Sequence, residues 1–305
     1  CSGGPDSMAL FCLLLGLKEQ YRWKLSVIHF NHQLRTRGGK KDEAFVRRMS
    51  KKARIRFYSG TGNVLQKAKQ NKASIEEWAR KMRYDFFIRT ARTQKISKIV
   101  FAHTQDDQAE TVLMRILQGT GLRGLSGIRE KNNMGRVSFI RPLLIFTKSE
   151  LLAFLKEQNI PFCHDRSNRS MRFLRNRIRL KLIPMLAREY NPRLVEALSR
   201  IPAIACEETQ LFSDLELTAW REVFKRQQKK RIEFKRSAFL KYPSPLQFRV
   251  LERALKKLDP RSGLSFEAWQ RIRRELHRSL YRCSLPRDID FAVSSKKIMV
   301  YKKYA

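Results

Sequence analysis

Cys1–Leu17, "CSGGPDSMALFCLLLGL", joins a loop of glycines, serines and an aspartate to an apolar run. Gly3 and Gly4 allow a tight turn that brings backbone amides close to an anion, and the helix that follows adds its positive N-terminal end. Ser2 and Ser7 can donate to phosphate oxygens across Pro5, and Asp6 can hold a magnesium ion that neutralises them. A Walker loop would place a lysine before the last hydroxyl, and this loop has none. Read alone, the segment is either a nucleotide cradle or an ordinary helix start. Met8–Leu17 reads as a buried helix, because it lacks the basic flank and small-residue cleavage pattern of a signal peptide.

Working outward, strand and helix alternate. Leu25–Phe30 reads as a strand, 42–53 as a helix and Ile55–Tyr58 as a second strand. Ser74 and Glu77 have capping-box spacing and start a helix to about Thr93. Ile99–Ala102 reads as a buried strand, and Gln105–Gln118 as a helix stopped by Gly119 and Gly121. Thr147 and Glu150 cap another helix to about Gln158. The pattern predicts an α/β fold with a parallel sheet, and ligands in such sheets bind beyond the carboxyl ends of the strands. From Asp165 the character changes: seven basic residues and no acidic one lie between Arg166 and Lys181. Two domains are expected, 1–165 for catalysis and 166–305 mainly helical, the latter with helices from Asn191 to about Lys230, Pro245–Leu258 and Ser265–Leu280. A small hairpin is expected at Asp288–Tyr301. Trp220, Trp269 and the apolar positions of Leu251–Leu258 read as core.

The chain has 305 residues, 65 Lys+Arg and 28 Asp+Glu, a formal charge of +37. The excess is +17 through Asp165 and +20 after it, from 31 basic against 14 acidic residues and then 34 against 14. A polyanion lying across both domains fits this balance. No apolar run reaches membrane-spanning length. Cys1, Cys12, Cys163, Cys206 and Cys283 are scattered and form no Cys-x-x-Cys pair, which fits a reducing cytoplasm and excludes the usual zinc spacings.

A tight acidic cluster stands out against this charge. His103 follows a strand, and Asp106, Asp107 and Glu110 crowd the start of the next helix. Dipole compensation explains one or two of these carboxylates. Asp107 and Glu110, three apart, also share a face that can grip a cation. Arg80 and Arg83 share another face and are candidate RNA or phosphate contacts, or else a solvated basic surface. Arg175, Arg177 and Arg179 are expected to radiate separately toward ATP, RNA and solvent, with Arg175 in the active site and Arg177 on RNA or phosphate. His32 and His164 read as structural.

Together "SGGPDS", "HFNHQLR", "EEWARKMRY", "AHTQDDQAETVLMRILQGTGLRGL" and "DRSNRSMRFLRNRIR" resemble, in order and spacing, the tRNA(Ile)-lysidine synthase family of N-type ATP pyrophosphatases. The likeness is close from Cys1 to about Pro184. It implies a strand before the opening loop, which this chain is expected to lack. It also implies ATP as co-substrate, magnesium on Asp6, and a tRNA-Ile with a CAU anticodon. ATP would adenylate C2 of the wobble cytidine, and free L-lysine would displace AMP to form lysidine. By the same resemblance Ser2–Ser7 hold ATP, Asp107 and Glu110 bind lysine, and His103 sits beside the base; Asp6, His103, Asp107 and Arg175 are the catalytic set. Whether Asp107 or His103 takes the amine proton stays open, as does homodimerisation. The C-terminal part is expected to read the tRNA. A cytidine-thiolating relative and an RNA-binding protein with a decayed nucleotide fold are the competing readings.

Overall fold

The computed structural model describes residues 1–33, 38–70, 74–163, 171, 173–228 and 230–303. His164, Asp165, Arg166, Arg169 and Arg172, with Arg35, lie outside the described residues. Two compact units are formed, Cys1–Ala205 and Cys206–Ala305. The expected functional boundary at 165/166 therefore lies inside the first unit.

In the first unit α1 (Pro5–Leu17) leaves the opening loop, followed by β1 (Ser26–Asn31), α2 (Gly38–Lys52) and β2 (Arg56–Thr61). Parallel pairing of β1 with β2 runs in register from Ser26↔Arg56 to Asn31↔Thr61. Next come α3 (Val64–Gln70), α4 (Ile75–Thr93), β3 (Lys98–Val100), α5 (Gln105–Leu117), α6 (Leu122–Leu125), β4 (Lys131–Met134) and β5 (Val137–Ile140). β3 and β5 are parallel, and β4 closes antiparallel on β5. The unit continues through α7 (Lys148–Glu157), α8 (Leu174–Arg177), a π-turn (Ile178–Leu182), α9 (Ile183–Glu189) and the start of α10 (Leu194–Val223).

Local chemistry explains the elements that carry the site. Ser74 Oγ accepts the Glu77 amide at 3.1 Å and starts α4. Thr147 and Glu150 form the expected reciprocal capping box on α7. A second box, which the sequence reading missed, caps α5 through Thr104 and Asp107. The N-terminal half of α1 is buried at Met8, Ala9 and Leu10, packed with Leu143, Leu151 and Leu155, while Leu17 at its end is exposed. Helix α1 is thus buried at the end that carries the loop.

The second unit contains the expected terminal hairpin, β9 (Ile289–Val293) with β10 (Lys297–Lys302), inside a larger antiparallel sheet. Its order is β6-β7-β10-β9-β8, with β6 (Phe224–Gln228), β7 (Arg231–Lys235) and β8 (Tyr281–Leu285). Helix α10 ends at Val223 rather than near Lys230, and the last helix of the unit spans Phe266–Glu275 rather than reaching Leu280. The reason is nonlocal. Ile232 and Phe234 are fully buried against the core of Trp220, Phe239, Leu251, Trp269 and Phe291, and pairing with β10 overrides the helix-compatible basic run. Glu233 and Asp290, both 1% exposed, are neutralised by Arg226 and Arg231 and by Arg282 and Lys303.

Candidate active site

The opening loop is held against β1 and α2. Cys1 donates its amino N–H to Ile28 O at 2.6 Å. Gly3 has φ +88°, and a Cβ there would lie 3.3 Å from Val46 Cγ2, so both backbone and packing require glycine. Gly4 has an ordinary φ of −72° and caps α1. The amides of Ser2 and Gly3 both point at Ser7 Oγ, at 3.2 and 3.1 Å, and Ser7 Oγ donates to Gly4 O at 2.9 Å. Two convergent amides on one oxygen are the geometry that a phosphate oxygen would use.

Asp6, in the first turn of α1, is pushed up to about 6 by burial, with Asp107 and Asp106 adding to the rise and Lys148 and Arg179 opposing it. Its Oδ1 is buried without a hydrogen-bond partner. A buried carboxylate oxygen left unpaired suits a hard cation, which would take its remaining oxygens from phosphate and water. Among the described residues no three His, Cys, Asp or Glu side chains group to hold a metal. Asp6 therefore fits magnesium as a single carboxylate ligand working with a nucleotide.

The acidic cluster is occupied by the chain's own cations. Asp107 is 8% exposed and Glu110 1%. Arg175 donates through Nε to Glu110 at 2.8 Å and through Nη2 to Asp107 at 3.2 Å. Arg179 donates through Nη2 to Glu110 at 2.9 Å and to Asp107 at 3.2 Å, with its Nε also on Glu110. Lys148 Nζ lies 3.3 Å from both carboxylates. Burial alone would raise Asp107, but Lys148, Arg175 and the Thr104 amide hold it at about 2. Glu110 is likewise lowered against its burial by Arg179 and Lys148.

This corrects the expectation that Arg175, Arg177 and Arg179 radiate separately. Arg175 and Arg179 are four apart, and across α8 and the π-turn that spacing aims both at one carboxylate pair. Arg177 is exposed and touches neither carboxylate. Lys148 was invisible to local pattern, because it comes from α7, 41 residues away, pinned by its own amide donating to Asp106 Oδ2 at 2.7 Å.

His103 stacks on Phe101 at 5.8 Å and Tyr84 stacks on the same ring at 5.3 Å. Burial, reinforced by Arg141, Arg175 and Arg80, pushes His103 down to about 4 against the pull of Asp107. It is neutral at pH 7, and its Nδ1 is buried without a partner. The guanidinium groups of Arg80 and Arg83 lie 4.9 and 5.8 Å from the Tyr84 ring centre. Arg83 is lowered by burial and by the like charges of Arg80 and Arg175, and among the described residues no carboxylate pairs with it. A half-buried guanidinium with no carboxylate partner among the described residues marks a place for an anion. His32 is pushed down to about 4 by burial and Arg83. Among the described residues no helix is long and apolar enough to cross a membrane.

The amide cradle, Asp6, the covered Asp107–Glu110 pair and the arginines beside Tyr84 thus belong to one compact unit, and residues 1–186 match the PP-loop domain family. The chain belongs to that family. The chain is 40% identical over 207 residues to the tRNA(Ile)-lysidine synthase of Caldanaerobacter subterraneus subsp. tengcongensis, covering 68% of this chain and 44% of that protein. It is 37% identical over 217 residues to the tRNA(Ile)-lysidine synthase of Chlorobaculum tepidum, covering 71% and 64%. The matched part of the chain spans 44% and 64% of the length of these two relatives. A solved structure, the U34-tRNA thiolase NcsA from Methanococcus maripaludis with its [4Fe-4S] cluster, superposes with TM-score 0.56 at 17% identity, covering 68% of this chain and 71% of that one. At that identity the likeness extends to the fold alone.

Proposed function

We propose that this PP-loop domain serves an ATP-dependent ligase that attaches L-lysine to C2 of the wobble cytidine in a tRNA-Ile bearing CAU, with release of pyrophosphate and AMP. The observation that carries the reading is the buried Asp107–Glu110 pair, a site for cationic nitrogen bridged by the guanidinium groups of Arg175 and Arg179. The identity to proteins named tRNA(Ile)-lysidine synthase supports it.

In this reading Ser2, Gly3, Gly4, Pro5 and Ser7 cradle ATP, and Asp6 is the protein carboxylate on magnesium. The metal supplies charge neutralisation on the phosphates. Arg80 and Arg83 receive phosphate or RNA, Arg83 because its half-buried charge has no carboxylate partner among the described residues. In the first step the C2 oxygen bonds to the α-phosphorus and pyrophosphate leaves. In the second the amine nitrogen bonds to C2, the C2–O bond breaks, and AMP carries the electron pair away.

The incoming ammonium must lose a proton from a group that titrates near pH 10.4 in water. Asp107, held at about 2 by Lys148, Arg175 and the Thr104 amide, is a poor acceptor. His103 is neutral with a free buried nitrogen and is the better base. Arg175 and Arg179 keep the two carboxylates ionised for the substrate. RNA contacts are assigned to the basic residues of both units, with Arg177 on the exposed side of the arginine segment and residues 166–305 as the tRNA-reading part.

The test is incorporation of labelled lysine into a CAU-bearing tRNA-Ile transcript. Incorporation that is abolished in Asp107→Ala and Glu110→Ala is expected. Incorporation that survives in both removes the lysine assignment.

A further inference from the structure

Asp107 and Glu110 carry two negative charges and already face three cations. If a substrate ammonium simply joined them, a buried pair would face four, with an excess of two positive charges on groups only about a quarter exposed. The charge balance is kept only if a resident cation leaves. Which one leaves is decided by how each is held.

Arg175 and Arg179 each span both carboxylates, with bonds to Glu110 at 2.8 and 2.9 Å. Such guanidinium forks lose several directed bonds on leaving. Lys148 makes two contacts of 3.3 Å with a single rotatable ammonium on a flexible stem. Its backbone stays fixed through the Asp106 bond, so only the side chain need move. It also presents the same chemical group as the proposed substrate.

We propose that Lys148 is a built-in stand-in for the substrate ammonium: it holds the Asp107–Glu110 pair while the site is empty of lysine and yields one primary ammonium's place to another when lysine binds. The inference rests on the lysine-binding reading of those carboxylates. It makes Lys148 a competitor of the substrate and sets the lysine concentration at which the site fills.

The experiment measures lysine KM and kcat for the full-length protein with saturating ATP and tRNA, comparing wild type with Lys148→Met and Lys148→Arg. Methionine keeps the stem and removes the competitor, so lysine KM should fall about fivefold, the scale of one partly exposed ion pair. Arginine competes with a fork and should raise KM by at least a similar factor. Structural damage loosens substrate binding and would not lower KM, so the opposite shifts separate the proposal from a scaffold role. An unchanged or raised KM in Lys148→Met, with wild-type lysine transfer intact, overturns the stand-in alone. No lysine transfer by wild type overturns the underlying reading, and the stand-in with it. Should Lys148→Met fail to fold, an unchanged or lowered KM in Lys148→Arg overturns the proposal by itself.

Discussion

Arg179 Nη2 lies 2.9 Å from Glu110 Oε2, and Glu110 is 1% exposed. A carboxylate that deep is tolerable only while cations cover it. Arg179→Ala should therefore destabilise the first unit by about 2 kcal/mol, less than the loss of an entire buried pair because Arg175 and Lys148 remain. Urea unfolding followed by a probe in that unit measures it, and Arg179→Lys should lose less. A variant as stable as wild type would mean the pair adds nothing beyond its neighbours.

Gly3→Ala should reduce ATP affinity at least tenfold, because φ +88° and the 3.3 Å approach to Val46 leave a side chain no place without shifting the loop. Gly4→Ala, at φ −72° with only Ser2 Oγ within 4 Å, should be milder. Calorimetric titration with ATP compares them. Equal losses would show that close phosphate approach, not backbone conformation, sets the requirement.

Two histidines give a pH signature. His32 and His103 are pushed from the usual 6.5 down to about 4 by burial, so the unfolded chain binds more protons than the folded one between those values. Their neutral burial is at full effect above about 6.5 and is lost as pH falls to about 4. Stability of the first unit should drop through that window, and His103→Gln should reduce the drop by roughly 2 kcal/mol, discounted for partial exposure. Urea midpoints across the window measure it. An unchanged slope would place the acid sensitivity elsewhere.

Much of this was legible in sequence because it is local. The glycine turn, the caps at Ser74 and Thr147, and the alternation of strand and helix depend on residues within a few positions of one another. The Thr104–Asp107 cap escaped because an aspartate fills the place usually read as Glu or Gln, and because Asp107 also serves the cluster. Arg175 and Arg179 have helical spacing, but their convergence depends on carboxylates 65 and 69 residues earlier. Lys148 and the β6–β7 pairing are nonlocal altogether. Strand β7 follows a run of Lys, Arg and Gln, residues equally at home in a helix, and is fixed by β10 some 66 residues later, as in Ile298↔Phe234 and Val300↔Ile232.

Removing the Thr104 hydroxyl should act on the site as well as the helix. Thr104→Val takes away the side chain that accepts the Asp107 amide at 3.3 Å and donates to its carboxylate. A loss of about 1 kcal/mol is expected from the cap, together with weaker lysine binding as Asp107 gains freedom. Denaturation and lysine KM read the two effects. A stability loss with unchanged KM would separate the cap from the site.

The most direct test of the account is AMP release in a single turnover of the full-length protein with ATP and a CAU-bearing tRNA-Ile transcript, with and without L-lysine. The account predicts pyrophosphate release whether or not lysine is present and AMP release only when lysine is added. AMP appearing equally without lysine, or RNA binding with neither product, would contradict it.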